Sequence, residues 1–336
     1  MSSAPGYTPA ELRSKETQKA FTRWLRPKSD RTSSQQPKRA KGTVLSYWKQ
    51  FLTFIDWWES RGTPPWTPRL FDQYLGFLGS PQARKTGKTL SIKTVKLRVL
   101  AVRAFAAYLT SEGEWKKSPA QYLSARTPQD PLRSNPFEVP AIKALFGQFD
   151  ESEGGLRDRA IVLLLATMGL RIAECCRLNL GDYVPGSDED GHAAWVLRVP
   201  SRHYQWDRRK MVVTEAVKGA LDRYLACRPA GELGEPLFIV ARGEYQGNRV
   251  DPGGVGIRLS RAFRATGLAH PSGVGHSLRL AAVQFAIEKG ATKAEVKAML
   301  RVRELSSVQK HFDKAGSKQP VVRGAQRYVT QLSDLV

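Results

Sequence analysis

Cysteine is scarce in this chain: three residues among 336, two of them adjacent at Cys175 and Cys176 and the third at Cys227. That spacing builds neither a disulfide framework nor a thiolate metal cluster, and a reducing intracellular compartment is the expectation. Long apolar runs are missing as well. The longest, Ala160–Leu165, falls well short of the roughly 18 residues a membrane span needs, and Arg171 follows soon after. The N-terminal MSSAPGYTPAELRSK has no apolar segment of the kind a secretory signal carries. Acidic residues are also in deficit, 31 Asp+Glu against 53 Lys+Arg, which leaves a net charge of +22. These shortages exclude a secreted disulfide scaffold and a membrane protein.

A positive excess of that size is either solvated or matched by a polyanion. Nucleic acid is the expected partner, because neutralised phosphates release counterions and so supply sequence-independent affinity. The competing reading is a basic protein that is merely well solvated, or one that only coats nucleic acid. The basic residues are spread out. They cluster over residues 13–49, at Arg84, Lys85 and Lys88, at Arg202, Arg208, Arg209 and Lys210, and at Lys293, Lys297, Arg301 and Arg303. Several separate basic stretches suit a clamp around a duplex better than a single basic arm does.

The first 42 residues are polar and basic and read as a flexible arm, with one short helix at Glu16–Leu25. From Thr43, apolar residues at three- and four-residue spacings (Tyr47, Trp48, Phe51, Ile55, Trp58) predict a helix that Gly62 and Pro64–Pro65 end. Thr67–Leu78 and Ser91–Thr110 repeat the pattern. On the latter, Lys93, Lys96 and Arg98 fall mostly off the apolar face and are candidate DNA contacts. Residues 43–125 thus form a helical domain. Four prolines over 126–140 mark a linker. A second domain spans 141–315, with helices at 141–149, 156–168, 216–227, 255–266, 276–289, 293–300 and 306–312. Its strands are expected at Trp195–Val199, Met211–Thr214 and Leu237–Val240. Residues 316–336 are a polar tail, either docked on its own domain or reaching a second protomer. The fold class is mainly α with a small β-sheet, in two domains.

Two segments of the second domain carry a resemblance. LRDRAIVLLLATMGLRIAECCRLNLGDY, at 156–183, resembles the box around the first catalytic arginine of the tyrosine recombinases, the phage integrase family. HSLRLAAVQFAIEKGATKAEVKAML, at 276–300, resembles the family's H-x-x-R box and the helices after it. The N-terminal helices are similar to the family's SAM-like core-binding domain. The resemblance implies a C-shaped clamp, double-stranded DNA as partner, a dimer on one site and a tetramer in the synapse, with no metal and no cofactor.

It also implies a chemistry. A tyrosine hydroxyl attacks a scissile phosphate to leave a 3′-phosphotyrosyl bond and a free 5′-hydroxyl. Two arginines suit the pentacoordinate transition state because their planar forks stay charged and donate in pairs. Arg171 and Arg279 match those positions, His276 matches the histidine of H-x-x-R, and Glu174 matches the carboxylate that orients the site. The plain alternatives are an i,i+3 surface ion pair for Arg171 and Glu174, a helix-start histidine for His276, and a DNA-facing arginine for Arg279. Cys175 and Cys176 stand where apolar residues are usual, so buried packing is expected of both.

The pattern departs from the family at three places. The nucleophile is expected about 32 or 33 residues after the second arginine, where this chain has His311 and Phe312. Phe312 is the preferred nucleophile position and His311 the alternative register; Tyr328, in the tail, is an outside candidate. The hairpin lysine that protonates the leaving 5′-oxygen has Lys210 as its candidate, with Arg202 as substitute. The position after the L-G box, usually His or Trp, is Val302, flanked by Arg301 and Arg303 as possible phosphate contacts. Two functions stay open: a site-specific recombinase in a form lacking the nucleophile hydroxyl, and a DNA-binding initiator or accessory factor that keeps the fold without cleaving.

Overall fold

The computed structural model describes residues 6–26, 41–84, 86–124, 136–188, 190–200, 208–269, 273–302, 305, 308–309 and 311–312. The chain divides into two units, Met1–Asp130 and Pro131–Val336, and the division falls within the proline-rich linker.

The first unit is helical: α1 (Pro9–Arg13), α2 (Lys15–Leu25), α3 (Lys41–Glu59), α4 (Pro68–Gly79) and α5 (Ile92–Ser111). Local signals set these boundaries. The Thr67 hydroxyl accepts from the Leu70 N–H with Pro68 in the first turn, and the Ser91 hydroxyl accepts from the Thr94 N–H. Helix α3 ends at Glu59 and runs into a turn at Gly62, whose φ of 75° is left-handed. Aromatic rings fill the core, with Phe51 stacked on Phe105 at 3.6 Å between centroids and Trp66 edge-on to Phe54 at 5.1 Å.

The arm is shorter than its composition suggests. Leu12, Phe21 and Leu25 are buried in the helical core, and Arg13 pairs with Asp56 and Glu59 of α3 at 2.8 and 2.6 Å. So α1 and α2 belong to the domain, held by a few large side chains too sparse to show a clear period. Of the expected arm, the part over residues 27–40 lies outside the described residues.

The second unit contains α6 (Val139–Phe146), α7 (Glu153–Ala166), α8 (Ile172–Cys175), β1 (Tyr183–Ser187), β2 (Ala193–Pro200), β3 (Arg208–Val212), α9 (Glu215–Cys227), α10 (Pro252–Ala265), α11 (Val274–Glu288) and α12 (Lys293–Leu300). Its core begins earlier than residue 141, because Phe137 stacks on Phe263 at 4.6 Å. Helix α7 is the centre, buried from Ala160 to Ala166 without interruption. Asp158 on α7 is buried and binds the half-exposed Arg258 of α10 at 2.9 Å, a tie between the two helices. The strands form one antiparallel sheet in the order β1-β2-β3, with Leu197 opposite Met211.

Strand β1, YVPGS, escapes sequence reading because Pro and Gly interrupt it. Conversely, Leu237–Val240 makes only an isolated bridge, Ile239 with Arg249, through the Val240 N–H to Asn248 and the Val250 N–H to Phe238, while the Leu237 N–H donates to Leu178 and the Ile239 N–H to the Tyr224 hydroxyl. Cys175 and Cys176 are buried as expected, and burial pushes both thiols up, Cys176 to about 11. Residues 308–309 and 311–312 are helical, and the tail over 313–336 lies outside the described residues. No described helix is long and apolar enough to cross a membrane.

Candidate active site

The site begins where α7 ends. Gly169 has φ +60°, a left-handed turn that glycine adopts without penalty. A Cβ there would meet Leu300, Ala282 and Met299 at ordinary contact distance, 3.5–3.7 Å, so the backbone conformation and not space calls for glycine. The turn delivers Arg171 to the start of α8 and leaves the Gly169 carbonyl facing inward. That carbonyl accepts from Arg279 Nη1 and, at 3.1 Å, from Arg301 Nη2.

Glu174 sits one helical turn after Arg171 and is 2% exposed, which rules out a surface ion pair. Its Oε1 accepts from Arg171 Nη1 at 2.6 Å, while Oε2 accepts from the Arg171 backbone N–H at 2.8 Å and from Arg301 Nη2 at 2.6 Å. Arg279 Nη1 lies 3.7 Å from the same Oε2. Burial alone would push this carboxyl up. The charge and hydrogen bond of Arg301, the Arg171 N–H and the charge of Arg279 outweigh it and hold the group below the usual carboxylate range.

Arg279 lies on α11 with its Nη2 donating to the Leu300 carbonyl at 2.7 Å. Burial, then the charges of Arg171 and Arg301, push its guanidinium down to about 9, with Glu174 opposing. It therefore remains charged at neutral pH. The more open member is Arg171, whose side chain is 33% exposed. His276 is in the first turn of α11, one turn before Arg279, and is exposed. Gly275 brings that turn against α8, since a Cβ there would overlap the Ile172 side chain. Ile172 and His276 line one open cavity of about 470 Å³ together with Ser260 and Arg264.

The structure thus brings together Arg171, Glu174 and Arg279, and places His276 one helical turn before Arg279, at the cavity it shares with Ile172. It does not bring in Lys210. That residue is exposed on β3 opposite Arg198, and strand alternation turns it away from the face of Met211, whose sulfur is 3.0 Å from Arg301 Nη1. Arg301 is not the exposed phosphate contact expected of it, because its side chain is 7% exposed and spent on Glu174. Arg98 is half-buried and donates at 3.3 Å to Gln50 and to the Ala83 carbonyl, so it braces the helical unit from within. Lys93, Lys96 and Arg209 are exposed. Arg202, Arg303 and the Arg208 side chain lie outside the described residues.

His311 and Phe312 are half-buried. Phe312 packs on the cluster of Val283, Val296, Leu300 and Val308, with Lys293 Nζ 5.8 Å from its ring centroid. Sequence reasoning missed the roles of the Gly169 carbonyl and of Arg301 at Glu174. The glycine before Leu170–Arg171 was the available hint for the first. Nothing local signalled the second.

Three guanidiniums face one carboxylate here, so the cluster carries an excess of buried positive charge that an oxyanion would balance. The description "Phage integrase family" matches residues 135–317. The tyrosine recombinase XerC of Rhodospirillum centenum is 29% identical over 267 residues, covering 78% of this chain and 74% of that protein. The XerC of Xylella fastidiosa is 30% identical over 225 residues, covering 66% and 69%.

Among solved structures, a lambda integrase dimer bound to a COC' core site superposes with a TM-score of 0.61 at 15% identity, covering 91% of this chain and 98% of that one. The XerH recombinase in a pre-cleavage complex with difH substrate gives 0.60 at 16% identity, covering 80% and 76%. At those identities the likeness is one of fold. The family match spans more than half of the chain and takes in every member of the arginine cluster, and on that ground the chain belongs to the phage integrase family of tyrosine recombinases.

Proposed function

We propose that the arginine cluster holds one DNA phosphodiester for strand transfer, and that the chain as written lacks the attacking hydroxyl. The observation that carries this is Glu174, buried and held by Arg171 and Arg301 with Arg279 beside it, in a cluster whose positive charge exceeds its negative charge. In such a site the arginines donate to the non-bridging phosphate oxygens, whose charge grows in the transition state. His276 donates to phosphate or moves a proton. With a tyrosine at position 312, the bond from its oxygen to phosphorus would form as the bond to the 5′-oxygen breaks. The phenolic proton leaves and the 5′-oxygen gains one.

The DNA-bound lambda integrase and XerH structures support duplex DNA as the partner, and a lambda integrase tetramer on a Holliday junction supports oligomeric assembly. Exposed Lys93, Lys96 and Arg209 then supply sequence-independent grip. A second reading keeps the binding and drops the cleavage. The packing of Phe312 into the apolar cluster at α12 favours it, since the ring already has a structural role there.

Phe312→Tyr separates the two. On a nicked duplex, the variant is expected to form a denaturant-resistant protein–DNA adduct while the unmodified chain forms none. If neither that variant nor His311→Tyr forms an adduct, the binding-only reading stands.

A further inference from the structure

Arg301 has φ +53° and ψ +42°, a left-handed conformation directly after α12 that residues other than glycine rarely take. A glycine would make the same turn without strain, so the backbone gives no reason for an arginine. The side chain does. Its Nη2 donates to Glu174 Oε2 at 2.6 Å and to the Gly169 carbonyl at 3.1 Å. Its Nη1 donates to the Met299 carbonyl at 2.6 Å and lies 3.0 Å from the Met211 sulfur on β3. Nε is buried and finds no acceptor among the described residues. With 7% of its side chain exposed, Arg301 is too enclosed to grip a duplex itself.

We propose that Arg301 is a positioning residue that joins Glu174, the Gly169 turn, β3 and the end of α12 into one frame and so fixes Arg171 and Arg279 on the phosphate. This rests on the phosphate-pocket reading above. By occupying Oε2, Arg301 leaves Oε1 to Arg171, which then approaches end-on with part of its fork free. By sharing the Gly169 carbonyl with Arg279, it keeps those two guanidiniums adjacent despite their repulsion. Its neighbours Leu300 and Val302 belong to the apolar cluster on which Phe312 packs, so the same frame reaches the nucleophile position. Arg301 stands next to Val302, where the resembling family usually has His or Trp. Here it supports the pocket from behind.

The test is titration of the full chain with inorganic phosphate, read as a saturable rise in melting temperature. Five proteins are compared: native, Arg279→Ala, Arg301→Gly, Arg301→Lys, and Arg223→Ala as a control for general charge at an exposed site. Glycine suits the left-handed backbone, so the fold is retained without the side chain. The expected result is saturable binding in the native protein and the Arg223 control, and none in Arg279→Ala. Arg301→Gly weakens the phosphate affinity by about tenfold and Arg301→Lys by about threefold or less. If Arg301→Gly binds like native while Arg279→Ala does not, the inference about Arg301 is overturned and the pocket survives. Losses in Arg301→Gly and Arg301→Lys no larger than that of the Arg223→Ala control also overturn it, because the side chain then contributes nothing specific to the pocket. No saturable binding in the native protein sinks the pocket reading and this inference with it.

Discussion

The helical unit fills its core with aromatic rings, whereas the second unit packs aliphatic side chains around α7 and buries charge among them. Every buried polar or charged side chain among the described residues lies between Arg157 and Arg279, and none lies in the helical unit. The first core gains from ring contacts such as Phe51 on Phe105, which need only shape and area. The second holds Glu174 and Arg279 at the cost of desolvation, and that arrangement persists only because each charge meets a partner or a carbonyl. One unit is built for cohesion. The other concentrates positive charge around a single buried carboxylate.

Truncating a ring should hurt most. Phe105→Ala removes a fully buried ring and is expected to cost the helical unit about 4 kcal/mol in denaturant unfolding, without weakening phosphate binding by the second unit. A loss of phosphate binding in this variant would break the separation between cohesion and charge.

Glu174→Gln should come next, at about 3 kcal/mol, because it leaves Arg279 and Arg301 buried without their counter-charge. The damage should be confined to the second unit, and pH sharpens the contrast. The Glu174 carboxyl is held below the usual carboxylate range when folded. Its contribution is therefore complete above the unfolded group's value and fades as pH falls through the folded one. Acid unfolding of native protein and Glu174→Gln should converge at low pH. Curves that stay parallel would mean that Glu174 is not the titrating group.

The smallest effect concerns surface charge. Lys93→Ala with Lys96→Ala, both on the exposed face of α5, should leave stability unchanged and reduce the salt slope of duplex binding by about 2. An unchanged slope would move the electrostatic footprint elsewhere on the molecule.

Much of the architecture was legible beforehand, since helical periodicity at α3, α4, α5, α7, α9, α10, α11 and α12 follows from where apolar residues recur. Sequence and structure differ where the determining contact is distant along the chain. The sequence places a helix at Glu16–Leu25 but assigns it, with the α1 segment, to an arm, because Leu12 and Phe21 show their worth only against α3 and α5. Lys210, a candidate by its chemistry, stands one residue before Met211 on β3 and so on the opposite face of the strand. Arg301 looked like one more surface cation in a basic stretch.

The sequence by itself determined the basic character, the helix-rich domains and the recurrence of Arg171, Glu174, His276 and Arg279 at family spacing, because charge and periodicity are properties of neighbours along the chain. Only the tertiary structure decided which cations share a carboxylate. Arg301 and Glu174 are 127 positions apart, and the 2.6 Å between them is set by how the Gly169 turn and the end of α12 pack together, a relation no local pattern encodes.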